Sequence, residues 1–121
     1  SYTHFEYSSP VLSSSSMGMG DTLQVSVTIT NRGERDGEEV VQLYLQDMLS
    51  GTPRPVKELK GFRKINLAAG AKETVEFLIT EEELAFYSAN KKWEAEPGAF
   101  KVYLGTNSRD VQELQFELVP Q

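Results

Sequence analysis

The chain has 121 residues, no cysteine, one histidine and a formal net charge of −6 at pH 7. With 39% hydrophobic and 25% charged residues, it has the composition of a folded domain, and its length fits one domain over residues 1–121. The composition excludes disulfide scaffolds, thiol catalysis and cysteine-ligated or histidine-rich metal sites. The acidic balance argues against a nucleic-acid or anionic-membrane partner, and no apolar run reaches the length of a membrane span. Because the chain begins with Ser1 rather than Met, we expect a fragment or a processed product.

Hydrophobic and polar residues alternate along the first half of the chain, which predicts strands of an antiparallel sheet. Residues 5–12 give the first strand, and the serine run at 13–16 is predicted to be a flexible loop. Further strands are predicted over 23–30 and 38–47. The prolines in residues 48–55 place that loop outside the central sheet, because proline cannot donate a ladder hydrogen bond.

The second half continues with a bent strand over residues 59–67, with Gly61 at the bend, and with another alternating strand after it. Thr80 and Glu83 have the spacing of a capping box, which predicts one short helical turn near residues 81–85.

Two more strands close the predicted domain. Phe86 and Tyr87 are expected to fold back onto the core, and strands over 100–104 and 114–118 flank a hairpin turn at 105–110. The total is about seven short strands with turn signals between most of them. This pattern predicts an all-β, immunoglobulin-like or fibronectin type III-like β-sandwich.

The acidic residues do not form a pattern that indicates catalysis. A glycosidase needs two carboxylates flanking one bond, and the spacing of Glu38, Glu39 and Asp47 singles out no such pair. His4 lies among the first residues, where a serine-triad base is not expected. We therefore predict no catalytic, cofactor-binding or metal-binding residue in this chain.

Exposed aromatic rings offer a different kind of site, because sugars stack on them. Trp93 is the only tryptophan, and an exposed row of Trp93, Tyr44 and Tyr103 would make a sugar platform. The favoured alternative packs Trp93 over the sandwich edge beside Phe86 and Tyr87, since large aromatic residues mostly contribute buried area.

Several segments along nearly the whole chain carry a family resemblance. They are SYTHF at 1–5, GEEVVQLYL at 37–45, PRPVKELKGFRKI at 53–65 and EPGAFKVYLGTNS at 96–108. In this order they resemble the fibronectin type III-like domain at the C-terminus of glycoside hydrolase family 3 enzymes, which include bacterial β-glucosidases and β-xylosidases.

The resemblance implies a non-catalytic accessory domain that packs against and stabilises the catalytic domains of the same chain, with residues 1–4 as the end of an interdomain linker. The catalytic aspartate of that family lies on a barrel far upstream, so no catalytic residue carries over. The implied parent is a retaining β-glucosidase or β-xylosidase of carbohydrate catabolism, periplasmic or extracellular, with a cytoplasmic location left open. No nucleic acid or membrane partner is implied.

The resemblance also implies a surface through which the domain contacts the catalytic domains. Two prolines flank Arg54 and fix the backbone on both sides, so its guanidinium would be presented with little loss of entropy. The residues expected to be left bare for a partner are Tyr2, Phe5, Arg54, Pro55 and Val56. The alternative function is an independent carbohydrate-binding or adhesion module, with an oligosaccharide as partner and Trp93 as its contact.

Overall fold

The first of the two large sheets is built around the long strand β4 (Leu23–Asn31). A computed structural model of the chain describes residues 4–49, 52–53, 57–88 and 90–120. β4 pairs on one edge with the short strands β1 (Phe5–Tyr7) and β2 (Val11–Leu12), and on the other with β8 (Lys72–Ile79); all three pairings are antiparallel. The N-terminal strand predicted as one piece is thus divided in two.

The second sheet runs from β3 (Ser16–Gly18) through β12 (Val111–Val119) and β11 (Gly98–Gly105) to β5 (Gly37–Leu49). The far edge of β5 pairs with β6 (Thr52–Pro53) and β7 (Glu58–Leu67). β3 is parallel to β12, and the other pairings are antiparallel.

A short helix and a small hairpin connect the two sheets. Helix α1 (Glu81–Leu84) precedes β9 (Phe86–Tyr87) and β10 (Trp93–Glu94), which pair antiparallel. The Glu82 amide donates to Thr80 Oγ1 at 3.2 Å, and the Thr80 amide donates to Glu83 Oε1 at 2.7 Å. The predicted capping box is therefore confirmed, and the helix ends at the buried Leu84.

The core lies between the sheets, as the alternation of β4 predicts. Every second residue of β4 is buried, while those between them are partly exposed. On the core side of the second sheet, the rings of the paired residues Phe100 and Phe116 stack with centroids 5.6 Å apart and an interplanar angle of 12°. The all-β sandwich is confirmed.

Two sequence predictions about loops are wrong. Ser16 belongs to β3, where pairing with β12 carries Met17 into the core. Pro53 pairs with Met48 in the edge strand β6, although residues 48–55 were expected outside the sheet. An edge position tolerates proline because one side of the strand needs no ladder donor.

Asn31, at the end of β4, is a fully buried polar residue. Its Nδ2 donates to the Arg35 carbonyl at 2.8 Å and to the Leu67 carbonyl at 3.0 Å, and its Oδ1 accepts from the Gly33 amide at 2.9 Å. The side chain thus satisfies three backbone groups and connects β4 in the first sheet to β7 in the second.

Candidate docking and carbohydrate-contact surfaces

The predicted docking residues fall mostly outside the described part of the chain. Tyr2, Arg54, Pro55 and Val56 lie outside the described residues, and their role stays a prediction. Phe5 is half-buried in β1 and packs against the domain's own core, and its docking role also stays a prediction. Of the predicted linker 1–4, the structure describes His4, whose carbonyl accepts from the Arg32 amide at 2.7 Å.

A β-bulge in β7 exposes two large apolar side chains that the sequence did not assign to any surface. Leu43 faces Gly61 and Tyr44 faces Leu59, so the register shifts by one residue at Lys60. In a regular strand, residues three apart point to opposite faces. The extra residue instead turns Leu59 and Phe62 to the same outer face of the sheet, where they are 51% and 65% exposed.

Close packing against β8 explains why a glycine, Gly61, stands beside the bulge. A Cβ on Gly61 would lie 3.1 Å from the ring of Phe77 in β8, closer than ordinary van der Waals contact. The absence of a side chain lets β7 approach β8 at the edge of the sandwich. The predicted bend at Gly61 therefore corresponds to a bulge over a close packing contact.

Tyr44 and Tyr103 continue the aromatic surface across the sheet. They are opposite one another in β5 and β11, on the face that bears Leu59. Tyr44 is half-buried and its hydroxyl donates to Gln42. We call Leu59, Phe62 and Tyr44 the β7 patch.

Tyr103 lies on the same face, but it is only 6% exposed. Lys57 Nζ lies 4.2 Å above its ring and donates to the Ser108 carbonyl at 3.1 Å, while the Tyr103 hydroxyl donates to Gln46 Oε1 at 2.6 Å. Burial raises the pKa of Tyr103, with Glu113 adding to the rise. The exposed row of Trp93, Tyr44 and Tyr103, which was the less favoured alternative in the sequence analysis, does not form, because Lys57 covers Tyr103 and Trp93 lies in a separate hairpin.

Paired charges flank the β7 patch. Lys64 Nζ lies 3.4 Å from Glu38 Oε2 on one side of it, and Lys101 Nζ lies 3.1 Å from Glu113 Oε2 on the other. The register places all four residues on the outer face of the second sheet. The surface thus has an apolar and aromatic centre between two ion pairs.

Trp93 and Tyr87 form a separate exposed aromatic pair on the β9–β10 hairpin. They face each other across the two strands, with ring centroids 6.2 Å apart and ring planes at 72°. Trp93 is 70% exposed and Tyr87 is 60% exposed. The expectation that Tyr87 folds back onto the core is wrong, because alternation along this short strand turns Phe86, not Tyr87, toward the body of the domain.

A fixed carboxylate anchors the hairpin that presents Trp93. The Ser88 hydroxyl and Asn90 Nδ2 both donate to Glu94 Oε2, the latter at 2.9 Å. These hydrogen bonds, that of Ser88 first, lower the pKa of Glu94, and Lys92 contributes. The carboxylate therefore stays ionised and holds the turn between the two aromatic residues.

A hydrogen bond between the side chains of Tyr7 in β1 and Glu39 in β5 connects the two sheets. The Tyr7 hydroxyl donates to Glu39 Oε2 at 2.8 Å, and Thr106 Oγ1 donates to the same oxygen at 3.2 Å. Burial raises the pKa of Tyr7 well above its ordinary range. The phenol stays protonated at neutral pH and serves as a structural donor.

Within the described residues, no three His, Asp or Glu side chains come together in a way that could hold a metal ion. No helix among them is long and apolar enough to cross a membrane.

The comparisons with known proteins agree with one another on the family of this chain. Residues 39–108 match the model of the fibronectin type III-like domain. The chain is 45% identical over 119 residues to a periplasmic β-glucosidase of Salmonella typhimurium, and 42% identical over 118 residues to a putative β-xylosidase of Formosa agariphila. Each match covers 98% of this chain and 16% of the relative.

The solved structures agree with the sequence relatives. The fold superposes on a β-glucosidase from Listeria innocua in complex with glucose with a TM-score of 0.88 and 41% identity. That match covers 97% of this chain and 16% of the other. The chain thus corresponds to about one sixth of the length of the proteins it matches.

Proposed function

Because the chain belongs to the fibronectin type III-like domain family, we propose that it is the non-catalytic accessory domain of a longer, retaining β-glucosidase or β-xylosidase. Its role is to pack against the catalytic domains and stabilise them, with residues 1–4 at the end of the connection to them. The observation that carries this proposal is the near-complete match of the chain to one sixth of each relative.

The carboxylates with described partners support a structural role. Glu83 caps helix α1, Glu39 connects the sheets through Tyr7, and Glu94 holds the β9–β10 hairpin. Each of these three carboxylates accepts hydrogen bonds from groups of the domain itself. Such an arrangement suits a domain that supports catalysis carried out elsewhere in the polypeptide.

The compartment of the parent is part of the same proposal. The Salmonella relative is named a periplasmic β-glucosidase, which supports export of the parent to the periplasm or the cell exterior. A domain without cysteine is compatible with that oxidising location, because it has no thiol that could be oxidised there.

Hydrolysis of an aryl β-glucoside and an aryl β-xyloside tests the proposal with three proteins. These are the 121-residue chain, the complete polypeptide encoded by its gene, and that polypeptide lacking residues 1–121. We expect no turnover by the chain, turnover by the complete polypeptide, and faster loss of activity on heating once the domain is removed. Specific turnover by the 121-residue chain would contradict the non-catalytic role.

The exposed Trp93–Tyr87 pair favours a second candidate function, carbohydrate binding. A ring pair inclined at 72° presents two separate faces rather than one flat platform, so each ring could contact a different sugar unit. This hairpin forms a two-stranded sheet of its own, so carbohydrate binding by its two rings and docking of the domain are not mutually exclusive.

Fluorescence titration with cello- and xylo-oligosaccharides tests this second function, because Trp93 is the only tryptophan of the chain. If the accessory role is the whole function, we expect no saturable change in emission. A saturable change that is lost in Tyr87→Leu, which keeps the tryptophan reporter, would establish carbohydrate binding. Leu78→Ala, on the exposed face of the first sheet, is the matched control.

A further inference from the structure

We propose that the β7 patch, formed by Leu59, Phe62 and Tyr44, is the surface through which this domain docks onto the remainder of its own polypeptide. The inference rests on the proposed function and adds which face of the domain contacts the catalytic part. It differs from the docking surface predicted from sequence, which centred on the segment around Arg54.

The first support is the way the patch is built. A bulge disrupts the ladder and leaves Lys60 without a cross-strand partner in register. Without that extra residue, Leu59 and Phe62 would lie on opposite faces. The irregularity therefore brings two large apolar side chains together on the outer face, where nothing in the described part of the domain covers them.

The second support is the contrast between the outer faces of the two sheets. On the first sheet, Thr28 and Thr74 share a hydrogen bond of 2.9 Å, and Gln24 is bonded to Glu76 across the same strands. The exposed Val11 and Leu78 of that face lie on opposite sides of β4 and are separated by its polar residues, so they form no continuous apolar patch. The β7 patch has an apolar and aromatic centre instead, with charges that are already paired at its margins, which is the anatomy of a protein interface.

The length of the relatives and the charge of this chain indicate which protein surface covers the β7 patch. The matched relatives are about six times as long as this chain, so the rest of such a polypeptide supplies ample surface to cover the patch. A second copy is less suited to it, because each copy carries a net charge of −6 and the two would repel one another. A stable interface buries about 800 Å² on each side, so the patch would form its centre and the ion pairs its rim.

Thiol labelling locates the interface, because the domain has no cysteine of its own. Leu59→Cys and Phe62→Cys are compared with Leu78→Cys in the complete polypeptide, using a maleimide and peptide mass spectrometry. Leu78 is 64% exposed on the other sheet and serves as the matched control. We expect labelling at positions 59 and 62 to be about ten-fold slower than at position 78 in the folded protein, and equal in urea.

The possible outcomes test the choice of docking face and the accessory role independently of one another. Equal labelling at all three positions in the folded protein would overturn the β7 patch as the interface. If removal of residues 1–121 still speeds heat inactivation, the accessory role survives and another face performs it. Protection that disappears on dilution would mean that a second copy occupies the patch, which also overturns the proposal.

Discussion

Asn31→Asp is expected to destabilise the domain by about 4 kcal/mol, with a fall of more than about 10 °C in the melting temperature. The substitution keeps the shape of the side chain but replaces the donor Nδ2 by a carboxylate oxygen. That oxygen would face the carbonyls of Arg35 and Leu67, which are now 2.8 and 3.0 Å from Nδ2. Two acceptors lose their donor, and a negative charge becomes fully buried beside them.

Urea unfolding followed by circular dichroism measures this loss. Asn66→Asp is the matched control, because it makes the same chemical change on an exposed position of β7 and should stay within about 0.5 kcal/mol of the parent. A loss at Asn31 no larger than that at Asn66 would mean that the buried amide does not connect the two sheets.

Gly105→Ala is expected to destabilise the domain by about 3 kcal/mol. A Cβ at this position would overlap the backbone carbonyl oxygen of Asp110 and come within 2.8 Å of the Cα of Val111. Backbone atoms cannot swing aside as a flexible side chain does. Gly105 is also paired with Val111 at the end of the β11–β12 ladder, so relief of the overlap would open the hairpin.

Gly70→Ala provides the comparison for this second substitution. Gly70 has a φ of 80°, and nothing lies within 4 Å of its ideal Cβ. Its replacement should therefore cost only the strain of a left-handed alanine, about 1 kcal/mol. Unfolding midpoints in urea that place Gly105→Ala no lower than Gly70→Ala would contradict the packing described here.

The regular parts of the fold are predictable because they depend on local patterns. The alternation from Leu23 to Ile29 places one face of β4 in the core, and the spacing of Thr80 and Glu83 predicts a helix start without any tertiary information. Family membership was predictable for a related reason, since its motifs are local runs of sequence distributed along the chain.

The surfaces depended on contacts that no local pattern contains. Leu59 and Phe62 are predicted from the sequence to belong to one bent strand, and the extra residue between them becomes visible only when β7 is paired with β5. Tyr103 lies on an outward position, yet Lys57, the residue before β7, covers its ring. Asn31 is a residue type that is common in turns, but its side chain is buried and forms hydrogen bonds with three backbone groups.

The most direct test of the accessory role is the half-life at an elevated temperature of the proposed glycosidase activity, measured on the complete polypeptide with and without residues 1–121. Both proteins should hydrolyse the same substrate, the aryl β-glucoside or the aryl β-xyloside, before heating. The shortened one should lose activity several-fold faster, because the catalytic part then lacks the contacts made by the domain. Equal half-lives would contradict a stabilising role for this domain.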